Sequence, residues 1–188
     1  MLKNNQAAMI KSTIHFILIS VLAFSCIQKP NFPIEPSISF NKISNTNVLD
    51  VFSSSGNRKV YKDSVSISIN FKDGDGDLGV SEVQKDELTK KNEFNYIVKR
   101  LLRVNGKFVE YDPLVSLSGN FITLKSGSKT GPIEGVLNYN IDFNPVIGLK
   151  KDTIKFQIQI IDRAKNPSNT VMTDSVLVYQ IDKSRLKL

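Results

Sequence analysis

The chain has 188 residues, 25 Lys+Arg against 18 Asp+Glu, and a formal net charge of +7. It holds one histidine, His15, one cysteine, Cys26, and no tryptophan. Everything after residue 26 therefore lacks imidazole and thiol, which excludes Ser-His-Asp and Cys-His mechanisms, Cys/His zinc sites and internal disulfides.

The first element is an apolar run, Phe16-Ile17-Leu18-Ile19-Ser20-Val21-Leu22-Ala23-Phe24-Ser25, that ends on Cys26. Lys3 and Lys11 precede it, and no acid occurs before Glu35. A basic start, a short apolar stretch and a small residue before the cut make a secretory signal. Closing on a lone cysteine, the run resembles a bacterial lipoprotein signal, in which Cys26 is acylated and becomes the first mature residue. Ala23 departs from the leucine usual at its position. An ordinary signal peptide or a single-span anchor is the alternative, though the run of about a dozen residues is short against the roughly 20 a spanning helix needs. Cleavage before Cys26 removes two lysines and no acid, leaving a net charge of about +5. The remaining basic residues are scattered rather than striped, so nucleic acid is not an expected partner.

The expected organisation is a signal at 1–25, a lipidated cysteine and proline-rich tether at 26–36, one β-domain at 37–182 and a basic tail at 183–188. Pro30, Pro33 and Pro36 stiffen the tether. A first strand is expected near 37–43, around Ile38 and Phe40. Val65, Ile67, Ile69 and Phe71 alternate with Ser64, Ser66, Ser68 and Asn70. Leu137, Tyr139, Ile141 and Phe143 alternate in the same way, as do Ile154, Phe156, Ile158 and Ile160. A period of two marks strands with one buried and one wet face. Residues 80–91 carry the single helical pattern, with Val80 and Val83 on one face. Tyr96–Val104 reads as a strand, Asn105-Gly106 as a hairpin turn and Phe108–Tyr111 as the return arm. One or two short strands are expected within Val115–Leu124, and a last strand over Val171–Ile181. Seven or eight strands with short turns predict an antiparallel β-sandwich of the immunoglobulin type, with a closed barrel as the alternative.

An acidic loop, Phe71-Lys72-Asp73-Gly74-Asp75-Gly76-Asp77-Leu78-Gly79, follows the strand over 61–71. Three carboxylates at every second residue repel one another, and a hard cation relieves that repulsion. Oxygen-only ligands suit Ca²⁺. The spacing starts like an EF-hand but departs from it, with Leu78 at the sixth position and Gln84 at the twelfth. A site here needs ligands from elsewhere. In an immunoglobulin-type sandwich the strands over 61–71 and 153–162 run the same way, which brings the loops after them together. Asp162, Asn166 and Asn169 can then add oxygens to Asp73, Asp75 and Asp77. Arg163 can instead pair with an aspartate and replace the ion.

These segments resemble those of small, Bacteroidetes-type lipoproteins. The resemblance rests on the signal, on Pro36-Ser37-Ile38-Ser39-Phe40, on the Asp-Gly-Asp-Gly-Asp-Leu-Gly loop and on Asp162-Arg163-Ala164-Lys165-Asn166-Pro167-Ser168-Asn169-Thr170. It spans most of residues 36–180. Lys165 stands where the family carries glycine, and lysine disfavours the left-handed turn that glycine permits. The resemblance implies an immunoglobulin-like fold and an envelope location, and it brings no activity.

The function expected is a non-catalytic binding or accessory module on an outer membrane. It would be held by the lipid on Cys26 and would use loops at one end of the sandwich. An envelope protein is the expected partner, ahead of a glycan, because the chain lacks tryptophan platforms. Nothing acidic follows Cys26 in Ile27-Gln28-Lys29-Pro30, which favours the periplasmic face. The alternatives are a structural spacer or subunit of an envelope complex, which predicts an exposed apolar patch around Val176–Tyr179, and a carboxylate-based glycan hydrolase.

Overall fold

The structure is a computed structural model, and it describes residues 30–52, 58–113, 115–125, 130–143 and 151–179. The signal, Cys26 and the basic tail lie outside the described residues. Among the described residues, eight strands and one helix follow in chain order: β1 (Ser37–Phe52), β2 (Arg58–Asp73), α1 (Glu82–Lys90), β3 (Tyr96–Val104), β4 (Lys107–Tyr111), β5 (Ile133–Phe143), β6 (Lys151–Ile160), β7 (Val171–Met172) and β8 (Val176–Tyr179). They form two antiparallel sheets, one ordered β1-β2-β5 and the other β4-β3-β6-β7, with β8 also on β6.

The alternating strands face one core. Val65, Ile67 and Ile69 of β2 and Ile154, Phe156, Ile158 and Ile160 of β6 are wholly shielded from solvent. Of the core residues expected from alternation, Tyr139 alone is half-buried. Its ring stacks on Tyr96 of the other sheet with centroids 4.4 Å apart, and its hydroxyl donates to the Leu117 carbonyl at 3.1 Å. Phe143 meets Phe156 across the sheets at 6.4 Å. The hairpin between β3 and β4 turns at Asn105 (φ 49°) and Gly106 (φ 82°), as a two-residue turn with positive φ at both positions requires.

Three expectations need correction. The first strand runs to Phe52 rather than ending near residue 43. Residues 115–124 make isolated bridges at Gly119 and Ile122 instead of strands. The segment is held by side chains. Asn95 accepts from Phe121 N–H at 2.9 Å and donates to the Phe121 carbonyl at 3.1 Å, while Asn120 accepts from Asn95 N–H at 2.9 Å. These amides satisfy backbone groups that a strand ladder otherwise would. The last strand is split into β7 and β8. Between them the Thr173 hydroxyl accepts Phe156 N–H at 3.0 Å, and before β7 the Ser168 hydroxyl accepts Ile160 N–H at 3.0 Å.

Side chains also stitch one margin of the two sheets together. The Asn169 amide accepts from Ile38 N–H at 2.8 Å and donates to the Ile38 carbonyl at 2.9 Å. Asp63, fully buried, accepts from Tyr179 N–H at 2.7 Å and from Asn47 Nδ2 at 2.8 Å. The expected apolar patch on the last strand is small. Val178 is buried, Tyr179 is half-buried with Lys151 Nζ 5.2 Å from its ring centroid, and Leu177 is the exposed one.

The helix α1 starts where the acidic loop ends. Ser81 caps it. Gln84 N–H donates to Ser81 Oγ at 3.3 Å, and Ser81 N–H donates to Gln84 Oε1 at 3.1 Å, a reciprocal capping box. No residue of the helix is fully buried, so it lies on the surface beside the loops.

Candidate metal centre

The alternation of β2 does not stop at Phe71. Asp73 is the next inward position, and its side chain is fully shielded. The chain then turns sharply. Gly76 (φ 75°) and Gly79 (φ 84°) take left-handed conformations, and a Cβ at Gly79 would overlap the Ile122 carbonyl. This turn returns Asp77 toward Asp73 and anchors Leu78, fully buried, in the core. Asp77 N–H donates to Asp73 Oδ2 at 3.0 Å.

The third acid comes from the other sheet. Asp162 follows β6 and is 4 % exposed. It shapes its own turn, accepting from Asn166 N–H at 2.7 Å and from Asn166 Nδ2 at 2.8 Å. The Ala164 N–H in that turn donates to Asp77 Oδ2 at 3.1 Å, so the loops after β2 and β6 touch. Asp73, Asp77 and Asp162 each bring a carboxylate oxygen within 4.8 Å of the other two.

Other site expectations fall outside this group. Asp75 turns aside, its carboxylate accepting from Asp77 N–H at 3.3 Å and its carbonyl from Gly131 N–H at 2.9 Å. Asn166 points its amide nitrogen at Asp162 and supports that carboxylate. Asn169 is spent on the Ile38 backbone. Arg163 is exposed and forms no ion pair with the three acids. Lys165 adopts the left-handed conformation (φ 72°) despite its side chain, held by the Asp162 turn.

Two oxygens of the triad are unsatisfied: Asp73 Oδ1 and Asp77 Oδ1 are buried and accept no hydrogen bond. Like charges within 4.8 Å repel by about 3.5 kcal/mol per pair at an effective dielectric constant of about 20. Burial, then the charges of Asp75 and Asp77, push the Asp73 carboxyl up to about 6. Burial, then Asp162 and Asp75, raise Asp77 as well, against a smaller opposing effect of the Ala164 N–H and Arg163. A cation placed among them would relieve both the repulsion and the cost of burial. The triad can bind a metal ion.

A pH dependence follows for the metal-free protein. The native state holds a proton on Asp73 up to about pH 6, whereas the unfolded chain loses it near pH 4. Across that window the folded state binds more protons, so stability falls as pH rises. The urea midpoint in chelator should be lower at pH 7 than at pH 5, and Asp73→Asn should flatten the difference. A wild-type midpoint that rises across the window contradicts the assignment.

Beside the triad lies a cleft of about 290 Å³ between α1 and the turn after β6. Val80, Leu88, Phe94 and Ile161 form its apolar lining, and Asp162 and Lys165 line it as well. Asp162 alone of the triad reaches it. Comparison of the chain with family models, with curated proteins and with solved structures returned no match.

Proposed function

We propose that this chain is a lipid-anchored protein of the bacterial cell envelope, whose immunoglobulin-like sandwich serves as a non-catalytic binding or accessory module. Strand order supports the fold reading: β1-β2-β5 against β4-β3-β6-β7/β8 is the arrangement of an A-B-E sheet facing a C′-C-F-G sheet. The observation that carries the functional reading is the junction of the loops after β2 and β6, sealed by the Ala164–Asp77 hydrogen bond. It builds a defined surface at one end of the domain, the usual place for recognition on a sandwich. The three acids converge on one another rather than on the cleft, which favours ion binding over a pair of carboxylates flanking a sugar bond. The ion assigned to them is Ca²⁺, because the donors are all oxygen. The partner assigned to the loop end is an envelope protein.

The anchor rests on the signal that ends at Cys26. Cys26→Ala should accumulate as an uncleaved precursor and lose the detergent-phase partitioning of the wild type, seen by gel shift and phase separation. Normal processing and membrane retention of that variant would sink the reading. Crosslinking in native envelopes tests the module itself. Arg163→Glu at the loop end should lose the crosslinked species, whereas Leu177→Lys on β8 should keep it. The reverse pattern would favour a spacer that docks through its sheet.

A further inference from the structure

We propose that Ca²⁺ at Asp73, Asp77 and Asp162 is a clasp that closes the loop end of the sandwich and thereby shapes the cleft beside α1. This rests on the assignment of Ca²⁺ above and adds a regulatory role for it.

The first argument is the origin of the ligands. Asp73 ends β2, Asp77 lies in the following loop and Asp162 follows β6. β2 and β6 belong to different sheets and share no ladder. Among the described residues, the hydrogen bond between the two loops is that of Ala164 to Asp77, at 3.1 Å. An ion held by all three acids adds a second and stronger tie across the same gap.

The second argument is the pair of unsatisfied oxygens. Asp73 is fully buried within the triad, and its Oδ1 is shielded without accepting a hydrogen bond. Asp77 Oδ1 is in the same state. The ion pairs formed by described lysines go elsewhere, to Asp142, Glu82 and Asp63. A buried carboxylate oxygen without a partner is costly, and a divalent cation satisfies several at once.

The third argument is what the clasp holds. Val80, three residues beyond Asp77, lines the cleft, and so do Asp162 and Lys165 from the other loop. Lys165 keeps its left-handed conformation through the turn that Asp162 organises. An ion that fixes Asp162 therefore fixes one wall of the cleft, while its hold on Asp77 fixes the approach to Val80. Loss of the ion leaves three mutually repelling acids on two loops that share one hydrogen bond, so both loops open more readily.

The test uses the full chain, purified in detergent and stripped with EDTA. Calorimetric titration with CaCl₂ should show one ion per chain, and MgCl₂ should bind at least about tenfold more weakly, because Mg²⁺ demands a tight octahedron and sheds water reluctantly. Asp73→Asn and Asp162→Asn should each abolish the heat. Both substitutions keep the side-chain shape, and Asp162→Asn can still accept the Asn166 N–H. Hydrogen exchange followed by mass spectrometry should show Ca²⁺ slowing exchange in peptides covering 73–80 and 161–166 together, by about tenfold or more, with β3 unchanged. Absence of binding heat overturns both the Ca²⁺ assignment and the clasp. Binding heat with slowed exchange confined to 73–80 overturns the clasp alone, since the ion then belongs to one loop.

Discussion

Replacing Phe156 by alanine should remove about 3–5 kcal/mol of stability, the range for a large aromatic taken from a packed core. Phe156 sits in the middle of β6, the strand that pairs with β3 on one side and with β7 and β8 on the other. Its side chain is fully shielded and meets Phe143 of the opposite sheet at 6.4 Å. Truncation therefore opens a void between the sheets rather than at a margin, where neighbours can collapse inward. For a domain of this size the loss corresponds to a fall in Tm of roughly 6–20 °C. Leu177→Ala, at a position 55 % exposed, should change stability by less than about 0.5 kcal/mol. A loss below about 1 kcal/mol for Phe156→Ala would mean that the inner face of β6 is misassigned.

Calcium should raise the melting temperature, and chelation should lower it. An ion bound to the native state alone stabilises it by mass action, by about 2.7 kcal/mol at roughly 100 times the dissociation constant. Magnesium should do so less effectively. Asp73→Asn and Asp162→Asn should remove the calcium response, because each deletes one of the converging charges. Asp75→Ala should keep most of it, because Asp75 lies outside the convergent group and shapes the loop instead. Identical wild-type melting curves in EDTA and in millimolar-order calcium exclude a structural ion of useful affinity.

The sheets were legible because their residues obey a local rule. Val65 to Phe71 and Ile154 to Ile160 alternate without exception, and each apolar member is buried. The Asn105-Gly106 turn was equally local. What escaped the sequence depends on distant partners. Residues 115–124 carry strand-like side chains, yet their backbone is satisfied by Asn95 and Asn120. Asp63 shares the inward parity of Val65, but its partner is the Tyr179 backbone, 116 residues away. The acidic triad was half visible. The meeting of the two loops followed from strand direction, and Asp162 with it. The roles within the acidic loop did not follow, because equal spacing treats Asp73, Asp75 and Asp77 alike. The period of β2 distinguishes Asp73 as an inward residue, and Gly76 at φ 75° breaks that period before Asp77.

The split of the last strand bears on self-association. An unpaired strand edge is a template for another chain, and natural proteins interrupt or cover such edges. Beyond β6 the edge is broken into strands of two and four residues. The gap between them is filled by the Thr173 hydroxyl, and the stretch before β7 by the Ser168 hydroxyl. An incoming strand finds no continuous row of free amides there. At the neighbouring margin, Asn169 has already taken both backbone groups of Ile38. These short polar side chains take up the backbone amides that a second copy of the chain would otherwise meet along that edge.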